Sequence, residues 1–215
     1  MKIKYLGHSA FAITSNSGVK IITDPYANSP TLTYGQISES ADIVTVSHHH
    51  YDHSNAAAVG GNPEVVSRAG RSVVKGIEIK GIASAHDDSG GKVRGGNIIF
   101  CFEVDGVAVC HLGDLGHRLD ERQLAEIGRV DVLLIPVGGN YTIDAKVATE
   151  VCDQLKPRVV IPMHYKTEKG IPGVSGVEGF LSGKANVSRP DSSQAEFRPG
   201  ELPATTQIIV LKPAL

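Results

Sequence analysis

The chain has 215 residues, 41% of them hydrophobic and 20% charged, with a net charge of -2 when histidine is neutral. That length suits one domain, residues 1–215, with a sizeable core, and no Lys/Arg cluster is dense enough for a nucleic-acid footprint. The N-terminal MKIKYLG lacks the apolar run of a signal peptide, and the longest apolar stretch, around Val132 to Val137, is too short to span a bilayer. These features point to a cytoplasmic protein with a small-molecule substrate and neither nucleic acid nor membrane as partner. Homo-oligomerisation is left open.

In chain order, KIKYLG, AFAIT and VKIITD read as three short strands, with NSG as a hairpin turn between the last two. DIVTVS is the next strand, and a loop and a helix are expected through Asn55 to Gly60. EVVSR and SVVKG are short, and IEIKGIAS alternates as a strand with one face on a core. NIIFCFEVDGVAVCHLGD gives two strands joined at Asp105-Gly106, a strong hairpin signal. Beyond Asp120 the pattern changes. DERQLAEIG and DAKVATEVCDQLKP read as helices, VDVLLIPV and RVVIPM as buried strands, VSGVEGFLSG as a further helix and TTQIIVLKP as a closing strand. Strand–helix–strand with fully apolar strands is the pattern of parallel βαβ units. Cys101, Cys110 and Cys152, odd in number and widely spaced, form neither a disulfide framework nor a zinc-ligand pair.

VSHHHYDHSN, residues 46–55, packs four histidines and an aspartate just past a strand. His48, His50, Asp52 and His53 compete for the same space and solvent, and one divalent metal would satisfy several together. His49 is expected to point away. Further donors follow other apolar strands: His86 after IKGIASA, His111 and Asp114 in HLGD, and His164 after VVIPM. A fold that gathers strand ends would collect them. His8, in YLGHSAF, reads as a loop histidine bonded to backbone. In GGNYTID, Asn140, Tyr141 and Thr142 either contact substrate or open a helix capped by Thr142 or Asp144. The glycine-rich DDSGGKVRGG is a candidate lid, with Lys92 and Arg94 as either anion-gripping or merely solvated charges.

The ordered set SHHHYDH, SAHDDSG, HLGDLG and IPMHY resembles the metallo-β-lactamase superfamily, and YLGHSAF with IPVGGNYTIDAKVA is similar to its branch of small metal-dependent hydrolases related to ascorbate-6-phosphate lactonase. The resemblance implies a four-layer αββα sandwich with a two-metal site. His48, His50 and His86 would hold one metal, Asp52, His53 and His164 the other, and Asp114 would bridge them. The resemblance would also place His8 near the mouth of the site, a reading that stands equally beside the backbone one. His111, by position alone, reads as a candidate orienting partner for a ligand rather than a ligand itself, since Asp114 fills that role. The donors suit Zn²⁺, with Mn²⁺ or Fe²⁺ as alternatives.

The activity implied is hydrolysis by a metal-bridging hydroxide of a small lactone-type ester, anionic or neutral, with Asp52 taking or orienting the nucleophile's proton and His164 or a metal-bound water aiding the leaving group. A phosphodiesterase acting on a small phosphodiester or nucleotide is the first alternative, and a non-catalytic metal-binding module the second. Substrate-selecting walls are expected from the loops at 87–96, 138–143 and 165–175.

Overall fold

A computed structural model describes residues 1–215. Two mixed β-sheets pack face to face. The first contains β1 (Lys2–Gly7), β2 (Ala10–Thr14), β3 (Lys20–Thr23), β4 (Ile43–Thr45), β5 (Glu64–Val66) and β13 (Gln194–Glu196), in the order β13-β1-β2-β3-β4-β5. The second contains β6 (Gly70–Val74), β7 (Ile77–Ala85), β8 (Gly96–Val104), β9 (Val107–His111), β10 (Val132–Pro136), β11 (Val159–Met163), β12 (Val187–Ser188) and β14 (Gln207–Ile209), in the order β12-β14-β11-β10-β9-β8-β7-β6.

Alternation builds the layer between the sheets. Ile3, Tyr5, Phe11, Ile13 and Ile21 from the first sheet meet Ile79, Phe100, Phe102, Leu134 and Ile161 from the second, all buried. The strands β10 and β11 are apolar on both faces because they pair in parallel and carry helices outside. Those helices are α1 (Glu121–Ile127), α2 (Ala145–Leu155) and the single turn α3 (Glu178–Leu181). A capping box of Asp120 and Gln123 opens α1 and the Asp144 carboxylate caps α2, each such cap stabilising its helix by about 1 kcal/mol. Lys156 ends α2 in the left-handed region at φ 49°, just before Pro157. Ala148 and Val151 of α2 bury against Leu133, Ile135 and Val160 beneath.

On the outer face of the first sheet, Leu6, Ile22 and Val44 are covered by Tyr26, Leu32, Tyr34 and Ile37 from the long β3–β4 connection. The helix expected after Asn55 is only a 3₁₀ turn, Ala56–Ala58. Its flanks are tied to other segments instead: Asn55 N–H donates to the Pro25 carbonyl and Gly60 N–H to that of Glu39. The strands β12 and β13 escape sequence reading, because their short polar segments gain strand form only from partners such as Lys2, opposite Glu196. No helix is long and apolar enough to cross a membrane.

Candidate metal centre

The pairing directions place the carboxyl ends of β1, β3 and β4 along one edge of the first sheet. Those of β7, β9 and β11 share one edge of the second. His8, Asp24, the 47–53 loop, His86, Asp114 and His164 all follow these ends, so the sandwich converges them. His8, Asp24 and His164 have φ of 55°, 41° and 50°. This left-handed turn breaks the strand register and swings each side chain inward, at a cost of about 1–3 kcal/mol per residue.

The donors form overlapping groups. His48, His50 and His86 present ring nitrogens within 4.8 Å of one another, and so do the donor atoms of His8, Asp52, His53 and His164. Asp114 Oδ2 lies 3.9 Å from His48 Nε2, 3.3 Å from His53 Nε2, 3.2 Å from His86 Nε2 and 3.3 Å from His164 Nε2. The site is buried except at His50. Gly113, at φ 55°, lets the chain pass where a Cβ would overlap the Asn97 carboxamide and the Ser47 side chain. Asn97 Oδ1 then accepts from Asp114 N–H at 2.9 Å and fixes the carboxylate's approach.

A residue match to a known family decides what this arrangement is: the model described as a β-lactamase superfamily domain matches residues 2–164. The chain belongs to the metallo-β-lactamase superfamily. It is 31% identical to a UPF0173 metal-dependent hydrolase of Pelotomaculum thermopropionicum, over 90% of this chain and 99% of that protein. It is likewise 31% identical to one from Carboxydothermus hydrogenoformans, over 78% and 85% of the two. A solved structure from Thermotoga maritima, described as that of a proposed zinc-dependent hydrolase of the superfamily, superposes with a TM-score of 0.80 at 40% identity, covering 98% of this chain and 97% of that one. The protein is a metal-dependent hydrolase of this superfamily's αββα sandwich type, with a binuclear His/Asp metal-binding cluster.

The residues fit a pair of metal ions on their own terms. His48 Nε2, His53 Nε2, His86 Nδ1, both ring nitrogens of His164 and Asp114 Oδ1 are buried without a hydrogen-bond partner. An orphaned buried polar atom costs about 1–3 kcal/mol, and so many around one carboxylate are the donors a cation would satisfy. The charges agree. Burial disfavours a proton on His53, yet the Asp114 and Asp24 carboxylates on either side push its pKa well above the ordinary histidine range. Burial, reinforced by His53, pulls His48 down to about 3. Burial and the neighbouring His164 pull His8 down to about 4, against its hydrogen bond to Asp52. Asp114 stays well below the carboxylate range despite burial, because His164 and His53 face it. The cluster therefore holds carboxylate charge that calls for a cation.

Asp24, which sequence reading passed over, anchors the cluster from behind. It accepts from Ser47 N–H at 2.8 Å and Ser47 O–H at 2.5 Å, and from His53 Nδ1 at 2.9 Å. Its signal was present: it follows the apolar β3 as the other donors follow their strands. His8 lies at the site, its Nε2 3.1 Å from Asp52 Oδ2, while its carbonyl accepts from Tyr5 O–H and His164 N–H. His111 spends both ring nitrogens on backbone, donating from Nε2 to the Ser9 carbonyl and accepting at Nδ1 from Gly113 N–H. His49 is exposed.

A cavity of about 520 Å³ opens over the cluster, with His50, Asp52, His86, Asp114 and His164 in its lining. Arg94, Tyr141 and the Ile171–Pro172 pair bring one wall from each of the three expected loops, while Thr31, Tyr51 and His49, the last expected to point away, add walls the sequence did not suggest. Asn140 and Thr142 do not line it. Thr142 donates to the Ile143 carbonyl, and Asp144, not Thr142, caps α2. Lys92 is exposed outside the cavity. The 87–96 loop is a tied turn: the Asp87 carboxylate accepts N–H groups of Ser89, Gly91, Val93 and Arg94 at 2.7–2.9 Å.

Proposed function

We propose that this hydrolase cleaves a small lactone-type ester at the floor of the cavity. The observation that supports it is the ring of unpartnered imidazole nitrogens around Asp114, open to a cavity sized for a small molecule. In this reading His48, His50 and His86 would hold one divalent ion, Asp52, His53 and His164 would hold the other, and Asp114 would serve both. Zinc suits an imidazole-rich set best, with manganese or iron as substitutes. Such ions, when bound, make water acidic enough to attack near neutral pH and polarise the ester oxygen.

The chain's own groups orient the reaction. His8 Nε2 holds Asp52 Oδ2 at 3.1 Å and so fixes a carboxylate that would both hold a metal and orient the proton of the attacking water. His164, in the cavity lining, would aid the departing oxygen through the metal it holds. Tyr51, Tyr141 and Ile171 supply the walls that exclude bulky substrates. We also take residues 1–215 as one domain, since both sheets share one core.

The test is a parallel assay of zinc- and manganese-reconstituted protein on small lactones, bis-nitrophenyl phosphate, cyclic nucleotides and a chromogenic β-lactam. Lactone hydrolysis that vanishes with chelator and returns with metal is expected, and Asp52→Ala should lower it by about 10²-fold or more. Turnover that survives complete metal removal overturns the mechanism. Metal-dependent phosphodiester cleavage with no lactone turnover replaces the substrate.

A further inference from the structure

Seven of the nine arginines pair with a carboxylate within 4 Å. Arg68 does not, and is exposed; Arg94 does not, and sits in the wall of the metal cavity as its one Lys or Arg. The Arg94 guanidinium makes a single hydrogen bond, from Nη2 to the Asn140 carbonyl at 3.2 Å. Its Cζ lies 4.9 Å from the centroid of the Tyr141 ring. The backbone beneath it is fixed, because Arg94 N–H donates to Asp87 Oδ2 at 2.7 Å. A planar cation is thus held from below by a tied loop and from one face by an aromatic ring. Its remaining N–H donors are unspent.

Guanidinium donors match carboxylate and phosphate oxygens two at a time, and a cation already positioned loses little freedom on pairing. We propose that Arg94 is the specificity-determining residue of this pocket and receives a pendant anionic group, carboxylate or phosphate, on a substrate whose scissile bond lies over the His/Asp cluster. The inference rests on the hydrolase reading of that cluster and adds the charge that the substrate carries away from its reacting end. Tyr141 is then a positioning residue for the guanidinium. The Asn140 carbonyl serves the same end, which gives the 138–143 loop a use although the Asn140 and Thr142 side chains stay out of the cavity.

The experiment compares three ligands built on butyrate and differing only at C4: 4-hydroxybutyrate, glutarate and 4-phosphonobutyrate. Each is titrated calorimetrically into zinc-reconstituted wild type, Arg94→Gln and Arg94→Lys, with zinc content and melting temperature measured for each preparation. At least one of the two C4 anions should bind wild type about tenfold more tightly than 4-hydroxybutyrate, as one charge-assisted bidentate pair allows. Which anion wins identifies carboxylate or phosphate as the natural group. Arg94→Gln should lose the preference and Arg94→Lys should keep part of it. Equal binding of all three ligands by wild type overturns the assignment. So does a preference that survives in Arg94→Gln, or a loss in that variant that weakens all three ligands alike, which marks a merely structural role. Lactone turnover is scored separately: turnover with no anion preference removes Arg94 and leaves the lactone reading, and an anion preference with no lactone turnover keeps Arg94 and removes the lactone as substrate.

Discussion

His53 is held at Nδ1, 2.9 Å from Asp24 Oδ2, while its unpartnered Nε2 faces Asp114 Oδ2 at 3.3 Å. Asp24 thereby decides the tautomer: an Nδ1–H donated to a carboxylate leaves Nε2 facing the cluster with its lone pair. Asp24→Asn keeps the size but brings an NH₂ group among donors, because Ser47 N–H, Ser47 O–H and His53 Nδ1–H all need acceptors there. The variant should bind zinc about 10–100-fold more weakly, as loss of such an orienting partner commonly does. Competition with a chromophoric chelator reads this directly, and unchanged affinity removes Asp24 from the site's design. This residue also shows where sequence reading stopped. The histidines in VSHHHYDHSN are conspicuous because four imidazoles in six positions have no ordinary structural use. Asp24 is a single carboxylate before Pro25, and Asp-Pro reads as a turn. Its hydrogen bonds run to residues 47 and 53, a distance that no local pattern encodes.

The elements most legible in sequence were those whose signals are local. Asp144 and Asp120 mark helix starts, Asp105-Gly106 marks a hairpin, and apolar runs mark β10 and β11. The elements missed depend on distant chain: β13 exists by pairing with β1, and the residues after Asn55 give their backbone to the 25–41 segment rather than to a helix. The parallel pairing of β10 and β11 beside the site has the same character. Val137 N–H donates to the Met163 carbonyl and Ser175 N–H to that of Gly138, so the chains leaving the two strands run in contact. At Gly138 an added Cβ would overlap the His164 carbonyl oxygen and lie 3.1 Å from Tyr165 Cα and Val174 Cβ. Backbone cannot yield as a flexible side chain does. Gly138→Ala should therefore cost about 1–3 kcal/mol, the usual range for overpacking, and displace His164 with it. Urea denaturation gives the first effect and zinc stoichiometry the second. A variant with wild-type stability and full zinc content would show that the two strand ends separate freely.

At the scale of the molecule, core and site are segregated. The layer between the sheets is closed by Ile3, Tyr5, Phe11, Phe100 and Ile161, each at most 1% exposed, and a second layer lies beneath the helices. Neither layer contains a donor of the cluster, which sits past the strand ends. Hydrophobic burial, which dominates folding, is thus in place without metal. The metal-free cluster nevertheless leaves Asp24 and Asp114 buried among imidazoles whose nitrogens lack partners, and that is an opposing term. A metal that binds only the folded chain adds about 2.7 kcal/mol at a free concentration of 100 times its Kd. For a chain of this size each kcal/mol moves Tm by about 2–4 °C, so chelation of the zinc-loaded protein should lower Tm by about 5–11 °C. Far-UV circular dichroism at 25 °C should stay unchanged, since the two cores and the caps of α1 and α2 do not involve the cluster. Readdition of zinc should restore Tm in step with its stoichiometry. If chelator instead abolished the far-UV signal, the metal would be organising the sandwich itself, and the division of labour between core and strand-end site would be wrong. If Tm did not move although the zinc had left, the unpartnered nitrogens around Asp114 would carry no strain, and the physical case for a cation there would fall with it.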